Sequence, residues 1–409
     1  MKRIDLSKKM LRVDLSQKKI SEETLPERWT MDFLGARGIN SRLLFEEVPP
    51  GVEPFAPENR LIFGIGLLCG TLAPSAGRFT VTARSPLTGT LGDANAGGFW
   101  APELRFAGYD HIVFQGIAEE PCYLFIDGER SELRDASHLW GKTTWDTDRM
   151  IKEELKDREI QVASIGPAGE KLVRFSCIIN SLNRANGRCG MGAIMGSKRL
   201  KAVAIRGGKD VRIARPREFI KAVHKAFEKI IPTSNWAGTP LLTDFYNEAG
   251  CLAAYNWRQG TFDIDNICSE VFATKYRIKR KACWNCPKHC SGYFVVRNGP
   301  FAGLHAEGAQ YDTISGFGPK CGNTDMATIL KAHTLCNQLG MDTISAGGTV
   351  AFAMDCYEHG VLTKADTGGL ELNFGNAEAM VKLLELIAAR QGIGDLLAEG
   401  SYRAAEEIG

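Results

Sequence analysis

Two stretches of the chain repeat one pattern, and this duplication constrains the fold more than any other feature. The sequence from Asn95 to Gly116 and the sequence from Asn186 to Gly207 have the same length, and both follow an alanine. Each reads as a glycine-rich loop, a short helix, a strand and a closing glycine. The repeat predicts two equivalent half-domains whose glycine loops face each other across a pseudo-twofold axis. The alternative is a duplicated unit whose glycines serve packing alone.

The hydrophobic pattern changes along the chain and predicts an α+β protein with two domains. Residues 1–208 show alternating, strand-like segments such as "RFTVTARS", "HIVFQG", "CYLFIDG" and "KAVAIRG", and "MLRVDLS" with "KKISEETL" predicts an antiparallel hairpin. From about residue 212 the spacing becomes helical, for example in "TDMATILKAHTLCNQLG" and "NAEAMVKLLELIAARQG". We therefore expect a β-rich domain over residues 1–210 and a mostly helical domain over residues 211–409.

Charge and cysteine content exclude several classes of protein. The net charge of +2 over 409 residues gives no reason to expect nucleic acid or an anionic membrane as a partner. The polar N-terminus has no signal-peptide core, and "LIFGIGLLCG" at 61–70 is too short to span a bilayer. Most of the 12 cysteines are scattered, which is unlike a secreted disulfide framework. A cytoplasmic protein with reduced thiols is the expectation.

One cluster of cysteines predicts a metal site. "CWNCPKHC" places Cys283, Cys286 and Cys290 within eight residues, with His289 beside the last of them. Three thiolates and an imidazole would complete a tetrahedral zinc site. Three thiolates are also part of the ligand set of an iron–sulfur cluster, which lacks its fourth ligand here. From these residues alone both metals remain open.

The glycine loops carry arginine, which indicates an anionic ligand. Arg78 follows a Pro-Ser-Ala-Gly turn, and "NRANGRCGMG" contains Arg184 and Arg188. Backbone N–H groups in glycine-rich turns bind phosphate, and arginine adds a bidentate grip. Neither loop has the spacing of a P-loop or of the dinucleotide fingerprint. The alternative for each arginine is a solvated surface charge. In a third glycine stretch, "CNQLGMDTISAGG", a helix is expected to end at Gly340 and the next to begin with Asp342 as its N-cap. From these residues alone, a plain helix–turn–helix junction is favoured over a ligand site.

Four stretches together resemble one family, the aldehyde:ferredoxin oxidoreductases. They occur in the family's order and span essentially the whole chain: "PSAGRFTVTARSPLTGTLGDANAGGFWAPELRFAGYD", "IGPAGEKLVRFSCIINSLNRANGRCGMGAIMGSKRLKAVAIRG", "CWNCPKHC" and "NQLGMDTISAG". The resemblance implies a β-rich domain that carries two pterins and helical domains that cover them. It also implies tungsten (or molybdenum) held by the two pterins, a [4Fe–4S] cluster, and Mg²⁺ bridging the pterin phosphates.

The resemblance implies roles for individual residues. Cys283, Cys286 and Cys290 would bind the cluster, with His289 only a neighbour, and Arg78 would tie the cluster to a pterin. The "NQLGMD" stretch is similar to the family's D-x-x-G-L-D motif but begins with asparagine, an amide in place of a carboxylate. The implied pterin or magnesium contacts are Arg78, Asn95, Gly97, Arg184, Ala185, Gly187, Arg188, Asn337, Met341 and Asp342.

The active-site carboxylate of the family is matched by spacing alone. Asp312 is the first choice for the catalytic residue and Glu307 the second, and two surface carboxylates are the alternative. The implied reaction oxidises a small aldehyde to a carboxylic acid, with electrons passing through the cluster to ferredoxin or another iron–sulfur subunit. A homodimer or a larger complex is expected.

Two other functions stay open at this point. The catalytic subunit of a tungsten benzoyl-CoA reductase resembles the family in its domains, and the changes at Asn337 and Asp312 are compatible with it. A non-catalytic protein with a structural zinc or iron–sulfur site is the alternative from another class.

Family members are longer than this chain. The resemblance implies that a second pterin motif, a histidine near tungsten and the fourth cluster cysteine lie in the part without a counterpart here, since Cys268 and Cys321 have no supporting spacing. We expect residues 1–409 alone to lack a complete, active site.

Overall fold

The computed structural model describes residues 8–128, 130–233 and 236–409. The first seven residues of the polar N-terminus lie outside these ranges. The strands are β1 Lys8–Asp14, β2 Lys19–Leu25, β3 Leu61–Ile65, β4 Phe79–Arg84, β5 Leu91–Ala96, β6 His111–Gln115, β7 Cys122–Asp127, β8 Arg130–Asp135, β9 Gln161–Ser164, β10 Ile178–Asn180, β11 Arg184–Asn186, β12 Leu200–Arg206, β13 Arg277–Lys281, β14 Ser291–Val295 and β15 His305–Glu307. The helices are α1 Glu27–Phe33, α2 Arg37–Glu47, α3 Trp100–Ala107, α4 Thr144–Glu154, α5 Pro167–Glu170, α6 Met191–Ser197, α7 Pro216–Ile230, α8 Leu241–Glu248, α9 Ser269–Val271, α10 Tyr311–Phe317, α11 Met326–Leu339, α12 Thr343–Glu358, α13 Ala377–Ala389, α14 Ile393–Ala398 and α15 Ser401–Ile408.

Two six-stranded sheets of identical topology form the first part of the molecule. Their strand orders are β2-β1-β6-β3-β4-β5 and β8-β7-β12-β9-β10-β11. In each sheet the first and last strands of the unit pair in parallel, β1 with β6 and β7 with β12, and the other neighbours are antiparallel. The predicted α+β class is confirmed. The duplication extends beyond the two predicted stretches to all six strands of each unit.

A shared core joins the two sheets. Helix α3 of the first unit packs on β9 and β12 of the second unit, and α6 of the second packs on β3 and β4 of the first. The indole of Trp100, on α3, donates a hydrogen bond of 3.0 Å to the carbonyl of Val203 in β12. Phe63 and Phe79 pack against this indole, and Phe114 packs against Phe63. Because the helices exchange partners, neither unit buries its apolar face without the other.

The edge strands β5 and β11 of the two sheets adjoin each other. Asn186, at the end of β11, donates a hydrogen bond of 3.0 Å from its amide to the carbonyl of Ala94 in β5. The glycine loops follow these strands, so the topology brings the two loops to the junction between the sheets.

The second part of the chain is mostly helical, and its long helices match the predicted ones. Gly340 ends α11 in the left-handed conformation with φ of 76°, as its C-cap position predicts. The helices share their core with Ala168, Val173 and Phe175 from the first part. Since this core crosses residue 210, the division into two domains stays a prediction. None of the described helices is long and apolar enough to cross a membrane.

The helical part also contains a three-stranded antiparallel sheet, β13-β14-β15, which the sequence analysis did not predict. The strand β13 reads "RIKRK", so charge hides any alternation of apolar and polar residues, and its pairing with β14 is interrupted between Arg277 and Lys279. This sheet matters for the site, because the loop between β13 and β14 carries the three clustered cysteines.

Candidate metal and cofactor site

The three clustered cysteines and two of the predicted arginines line one cavity. It has a volume of about 430 Å³ and lies between the β13–β14 loop, the glycine loops and the start of α8. The structure thus brings together residues that lie more than two hundred positions apart in the sequence: Arg78, Arg184, Cys283, Cys286 and Cys290. The lining also includes residues that the sequence analysis missed, namely Ser75, Gly238, Thr239, Leu241, Leu242 and Lys288.

The cysteine loop is docked on the first glycine loop. A Cβ atom at Gly97 would lie 2.6 Å from the Sγ of Cys283, so only glycine permits this approach. The backbone N–H of Trp284 donates to the carbonyl of Gly98 at 3.2 Å, and the N–H of Ser75 donates to the carbonyl of Asn285 at 2.9 Å. The contacts hold the thiols against the duplicated scaffold, and they assign Gly97 a steric role.

The spacing of the thiols argues against a single zinc ion. Sulfur ligands of a tetrahedral zinc ion lie about 3.8 Å apart, as Zn–S bonds of about 2.3 Å require. Among the described residues, Asp355, Glu358 and His359 alone form a group whose ligand atoms all lie within 4.8 Å of one another, and this group is far from the cysteines in sequence. His289 is exposed and does not line the cavity. The three sulfur atoms do not all lie within 4.8 Å of one another, so the thiols around this cavity fit a polynuclear cluster better than one ion.

No further cysteine of the described part lines this cavity. Cys321 is buried and lies 3.2 Å from the carbonyl of Gly316, and Cys268 lies 3.9 Å from the carbonyl of Asp265. A cluster with four protein ligands would therefore need one from outside the described lining.

Two neighbouring groups affect the thiols electrostatically. Burial raises the pKa of Cys290, because a thiolate loses hydration there, and the Arg184 guanidinium opposes this shift. The hydroxyl of Ser75 lies 3.3 Å from the Sγ of Cys286. The Arg184 charge favours the thiolate form of Cys290, which is the form that metal binding requires.

The first glycine loop positions Arg78 between two cavities. Its guanidinium donates to the side-chain oxygen of Asn95 and, at 3.4 Å, to the Asn95 carbonyl. The Asn95 amide donates in turn to the Phe79 carbonyl and the Thr80 hydroxyl, each at 3.2 Å. Arg78 lines the cysteine cavity and also a second cavity of about 460 Å³, which Asn95 and Thr80 border. It is thus placed to contact two ligands at once.

The second glycine loop makes two ion pairs with the helical part. Arg184 donates to Glu307, and their side chains are 14% and 3% exposed. Arg188 donates to Asp342 at 2.7 Å and to Ser345 at 3.0 Å. A Cβ at Gly187 would lie 3.2 Å from the Asp342 carboxylate. The start of α12 therefore packs closely on this loop. The Asp342 carboxylate contacts the loop and also belongs to the N-terminus of that helix.

The junction between α11 and α12 has the capping geometry that its sequence predicts. Asp342 accepts hydrogen bonds from the N–H groups of Ile344 at 3.2 Å and Ser345 at 3.1 Å. Met341 is buried. The Asn337 amide donates to the His333 carbonyl at 2.9 Å within its own helix, so this asparagine is already engaged in the protein.

The two carboxylates considered for catalysis have different surroundings. Glu307 is buried, ion-paired with Arg184, and its backbone carbonyl accepts a hydrogen bond of 2.8 Å from His333. Asp312 is exposed in the first turn of α10. Burial lowers the pKa of Lys320, and the charges of Asp312 and Asp342 oppose this shift in part. Of the two carboxylates, Asp312 is the one that is exposed to solvent.

The glycine loops fit an anionic ligand of the pterin kind. Asn95 and Ala185 lie on the adjoining edge strands β5 and β11, and three arginines flank these strands. Within the described part, the buried side-chain oxygens of Asn183 and Asn186 have no hydrogen-bond partner. Buried polar atoms are usually satisfied, so these two indicate a missing donor such as a ligand N–H.

Comparisons with known proteins identify relatives of the chain. Residues 10–207 match the family model for the N-terminal domain of aldehyde ferredoxin oxidoreductase, and residues 218–409 match the model for its domains 2 and 3. The tungsten-containing aldehyde ferredoxin oxidoreductase of Pyrococcus horikoshii is 43% identical over 98% of this chain and 67% of its own length. An aliphatic sulfonate oxidoreductase, WOR-like subunit, of Pyrococcus furiosus is 32% identical with the same coverage.

A solved structure shows the same fold. A chain of the active-site complex BamBC of benzoyl coenzyme A reductase, solved with 1,5-dienoyl-CoA, superposes with a TM-score of 0.88 at 36% identity. The match covers 98% of this chain and 63% of that one, so the present chain spans about two thirds of the length of its relatives. Both family models and the relatives lead to one assignment: the chain belongs to the aldehyde ferredoxin oxidoreductase family.

Proposed function

We propose that this chain provides the cofactor-binding part of a tungsten-dependent aldehyde oxidoreductase, in which Cys283, Cys286 and Cys290 bind a [4Fe–4S] cluster. One observation carries the proposal: a single cavity joins three cysteines with an arginine from each glycine loop. The tungsten-containing relatives support the metal. When bound, the tungsten bis-pterin group and the cluster supply the two-electron oxidation of an aldehyde and water to an acid and the single-electron transfer to ferredoxin.

The chain's own residues would bind and orient these groups. Arg78 and Asn95 would bind one pterin. Arg188, which pairs with Asp342, would bind the other. The carbonyls of Asn95 and Ala185 would hold Mg²⁺, a hard cation that prefers oxygen ligands. Arg78 lines both the cysteine cavity and the neighbouring one, so it would connect cluster and pterin. Ser75, close to Cys286, would raise the cluster potential by hydrogen bonding to sulfur.

Asp312 would move the proton in the reaction. It is exposed, whereas Glu307 is fixed to Arg184. A general base needs an accessible carboxylate within reach of the substrate. Glu307 would instead position Arg184 beside the thiols.

The partner and location follow from the same proposal. A ferredoxin or an iron–sulfur subunit would accept the electrons, and a homodimer or larger complex agrees with the structural relative, which is part of the BamBC complex. The described cysteines are all free thiols, in keeping with a reducing cytoplasm.

Metal analysis tests the proposal. The chain is purified anaerobically with iron, sulfide and tungstate supplied, and iron, tungsten and zinc are measured per chain. We expect about four irons, and loss of most of this iron in Cys286→Ser. The matched control, Cys251→Ser, removes an exposed cysteine outside the cavity and should keep the iron. Zinc at one per chain without iron would overturn the proposal.

A second candidate function is a benzoyl-CoA reductase-like activity. It is supported by the TM-score of 0.88 to the chain of the BamBC complex. Assembled enzyme that reduces a viologen dye with dienoyl-CoA, and not with aldehydes, would favour this function. The opposite result would favour aldehyde oxidation.

A further inference from the structure

A buried lysine in the helical part carries a positive charge that the described residues leave without an acceptor. Lys320 lies in a short 3-10 turn, Pro319–Cys321, and only 8% of the residue is exposed. Its ammonium lies 4.9 Å from the ring centroid of Trp257, which is a cation–π contact. Within the described part of the chain, this ammonium has no hydrogen-bond acceptor and no carboxylate oxygen within 4.0 Å. Buried charged groups are normally hydrogen-bonded, so this one indicates a ligand that supplies the acceptor.

The backbone fixes the contact between Lys320 and Trp257. The N–H of Tyr255 donates to the carbonyl of Pro319 at 3.0 Å. The N–H of Asn256 donates to the carbonyl of Lys320, also at 3.0 Å. Tyr255, Asn256 and Trp257 have φ angles of 46°, 50° and 69°, a left-handed conformation that residues other than glycine rarely adopt in succession. Such a backbone persists only where its surroundings hold it, so the indole has a defined position beside the ammonium.

The turn that carries Lys320 lies between two helices that hold predicted site residues. Asp312 is in the first turn of α10, and Asp342 caps α12. The Sγ of Cys321 lies 3.2 Å from a carbonyl oxygen of α10 and 3.7 Å from a carbonyl oxygen of α12. The turn therefore packs on both helices, and Lys320 belongs to the same region as the candidate catalytic carboxylate.

The charged residues of this region do not complete the surroundings of the Lys320 ammonium. Burial lowers the pKa of this group, and the charges of Arg188, Asp312 and Asp342 also act on it. The Asp342 carboxylate is already paired with Arg188 at 2.7 Å and accepts the capping bonds of α12. Asp312 is exposed and forms no ion pair with Lys320. The missing acceptor has to come from a molecule bound beside these residues.

A carboxylate matches this position better than a neutral group does. Hydrogen bonds between an ammonium and a carboxylate are charge-assisted, and they offset the cost of removing the ammonium from water. The carbonyl oxygen of an aldehyde is a neutral acceptor, and it belongs to the group that reacts. Phosphate is the alternative anion, but the glycine loops with their arginines already provide donors for phosphate.

We propose that Lys320 binds a carboxylate of the substrate and so selects aldehydes that carry a second, acidic group. The inference rests on the proposed function, because it assumes that an aldehyde reacts beside Asp312. The aldehyde group and one water give a new carboxylate, three protons and two electrons, and the electrons leave through the cluster as proposed above. The carboxylate bound by Lys320 stays unchanged. Lys320 determines specificity, and Trp257 positions its ammonium.

Binding of an analogue that cannot be oxidised to an acid tests this role. The probe is 4-oxopentanoate, a ketone with a carboxylate, and 2-pentanone is its neutral counterpart. Binding to the anaerobically purified chain is followed by calorimetry and by tryptophan fluorescence, since Trp257 is exposed and contacts the ammonium. Lys320→Met removes the charge, and Lys320→Arg keeps it. The matched control, Lys382→Met, removes one positive charge at an exposed lysine.

We expect the Kd for 4-oxopentanoate to rise on the order of tenfold in Lys320→Met and to stay within about threefold of wild type in Lys320→Arg. Lys382→Met should bind like wild type, and Trp257→Phe should lose the fluorescence change. Circular dichroism checks the fold, and Lys320→Gln replaces Lys320→Met if the latter does not fold. Equal binding by wild type and the neutral variant would overturn the inference. So would the same dependence on Lys320 for 2-pentanone or for inorganic phosphate.

The selectivity of the assembled enzyme provides a second readout. The ratio of kcat/KM for 4-oxobutanoate to kcat/KM for butanal should fall about tenfold in Lys320→Met, mainly through a higher KM for the oxo acid. An unchanged ratio would contradict the inference. Iron is measured on the samples used for binding. Binding that depends on Lys320 in protein without iron contradicts the proposed function only, and iron-loaded protein without such binding contradicts the role of Lys320 only.

Discussion

Arg184 and Glu307 are 123 residues apart in sequence, yet the guanidinium donates to the carboxylate in a nearly dehydrated environment, with 14% and 3% of their side chains exposed. Arg184 also lines the cysteine cavity. The pair therefore fixes a positive charge next to the thiols and connects the second glycine loop to the small sheet. Because Glu307 is held in this ion pair, substitutions at Glu307 and Asp312 can test which of the two is the catalytic carboxylate.

Glu307→Ala should lower the free energy of unfolding by about 3 kcal/mol, because it leaves Arg184 buried without its counter-charge. Asp312→Ala should change it by no more than about 0.5 kcal/mol, since Asp312 is exposed. Urea unfolding monitored by tryptophan fluorescence measures both. In assembled enzyme, Asp312→Ala should lose turnover while keeping its tungsten. Full turnover in that variant would remove Asp312 from the mechanism.

Gly97→Ala should reduce the iron bound per chain severalfold. The added Cβ would lie 2.6 Å from the Sγ of Cys283, so the thiol must move away. Iron and sulfide are measured after anaerobic reconstitution. Gly208→Ala is the control, because a Cβ there meets no atom within 4 Å. Normal iron content in Gly97→Ala would show that the cysteine loop docks differently.

Asp342→Ala should destabilise the protein by about 1–2 kcal/mol through loss of the N-cap of α12. Asp342→Asn should retain most of that stability, because an amide oxygen still accepts the capping bonds. The amide lacks the charge that pairs with Arg188, so pterin content in reconstituted protein should fall in both variants. Chemical denaturation and pterin fluorescence separate the two roles. Equal destabilisation by both substitutions would contradict the capping explanation.

Stability should fall on acidification between about pH 6.5 and pH 4. Burial lowers the pKa of His333 from 6.5 to about 4, and its Nδ1 has no hydrogen-bond partner in the described structure. In this window the unfolded chain binds a proton that the folded chain does not, so stability is present above pH 6.5 and is lost as pH falls. The loss should reach about 1.4 kcal/mol per pH unit for this group.

Urea unfolding at several pH values checks this slope. His333→Gln should make it shallower, and His224→Gln, at an exposed position, should leave it unchanged. The buried His111, whose pKa is also lowered to about 4, would account for part of the slope that remains. An unchanged slope in His333→Gln would contradict the assignment.

The repeated glycine loop, the strands that follow it and the amphipathic helices could be predicted, because each depends on local spacing. The sequence also predicted the caps at Gly340 and Asp342, since capping needs only neighbouring residues. The full extent of the duplication was missed, because the remaining strands of the two units share topology without obvious sequence similarity.

The remaining features depend on contacts across long separations. The strand β13 is too highly charged to show a strand pattern, and its pairing with β14 alone defines it. Neither the burial of Glu307 nor the approach of Cys283 to Gly97 has a local sequence signature. The individual site residues stay predictions, because proximity in one cavity establishes position and leaves their roles to experiment.

The two glycine loops of the duplicated scaffold differ in the later segments of the chain that pack on them. One glycine loop is met by the thiol-bearing loop at Gly97, and the other is met by a helix cap at Gly187. Two glycine loops with identical surroundings would offer two equivalent binding sites. Here the Cys283 thiol lies against the first loop and the Asp342 carboxylate lies against the second, so the two halves of the scaffold differ chemically. The duplicated unit makes the scaffold symmetric, and the loop of the β13–β14 hairpin, which carries the cysteines, makes its two halves unequal.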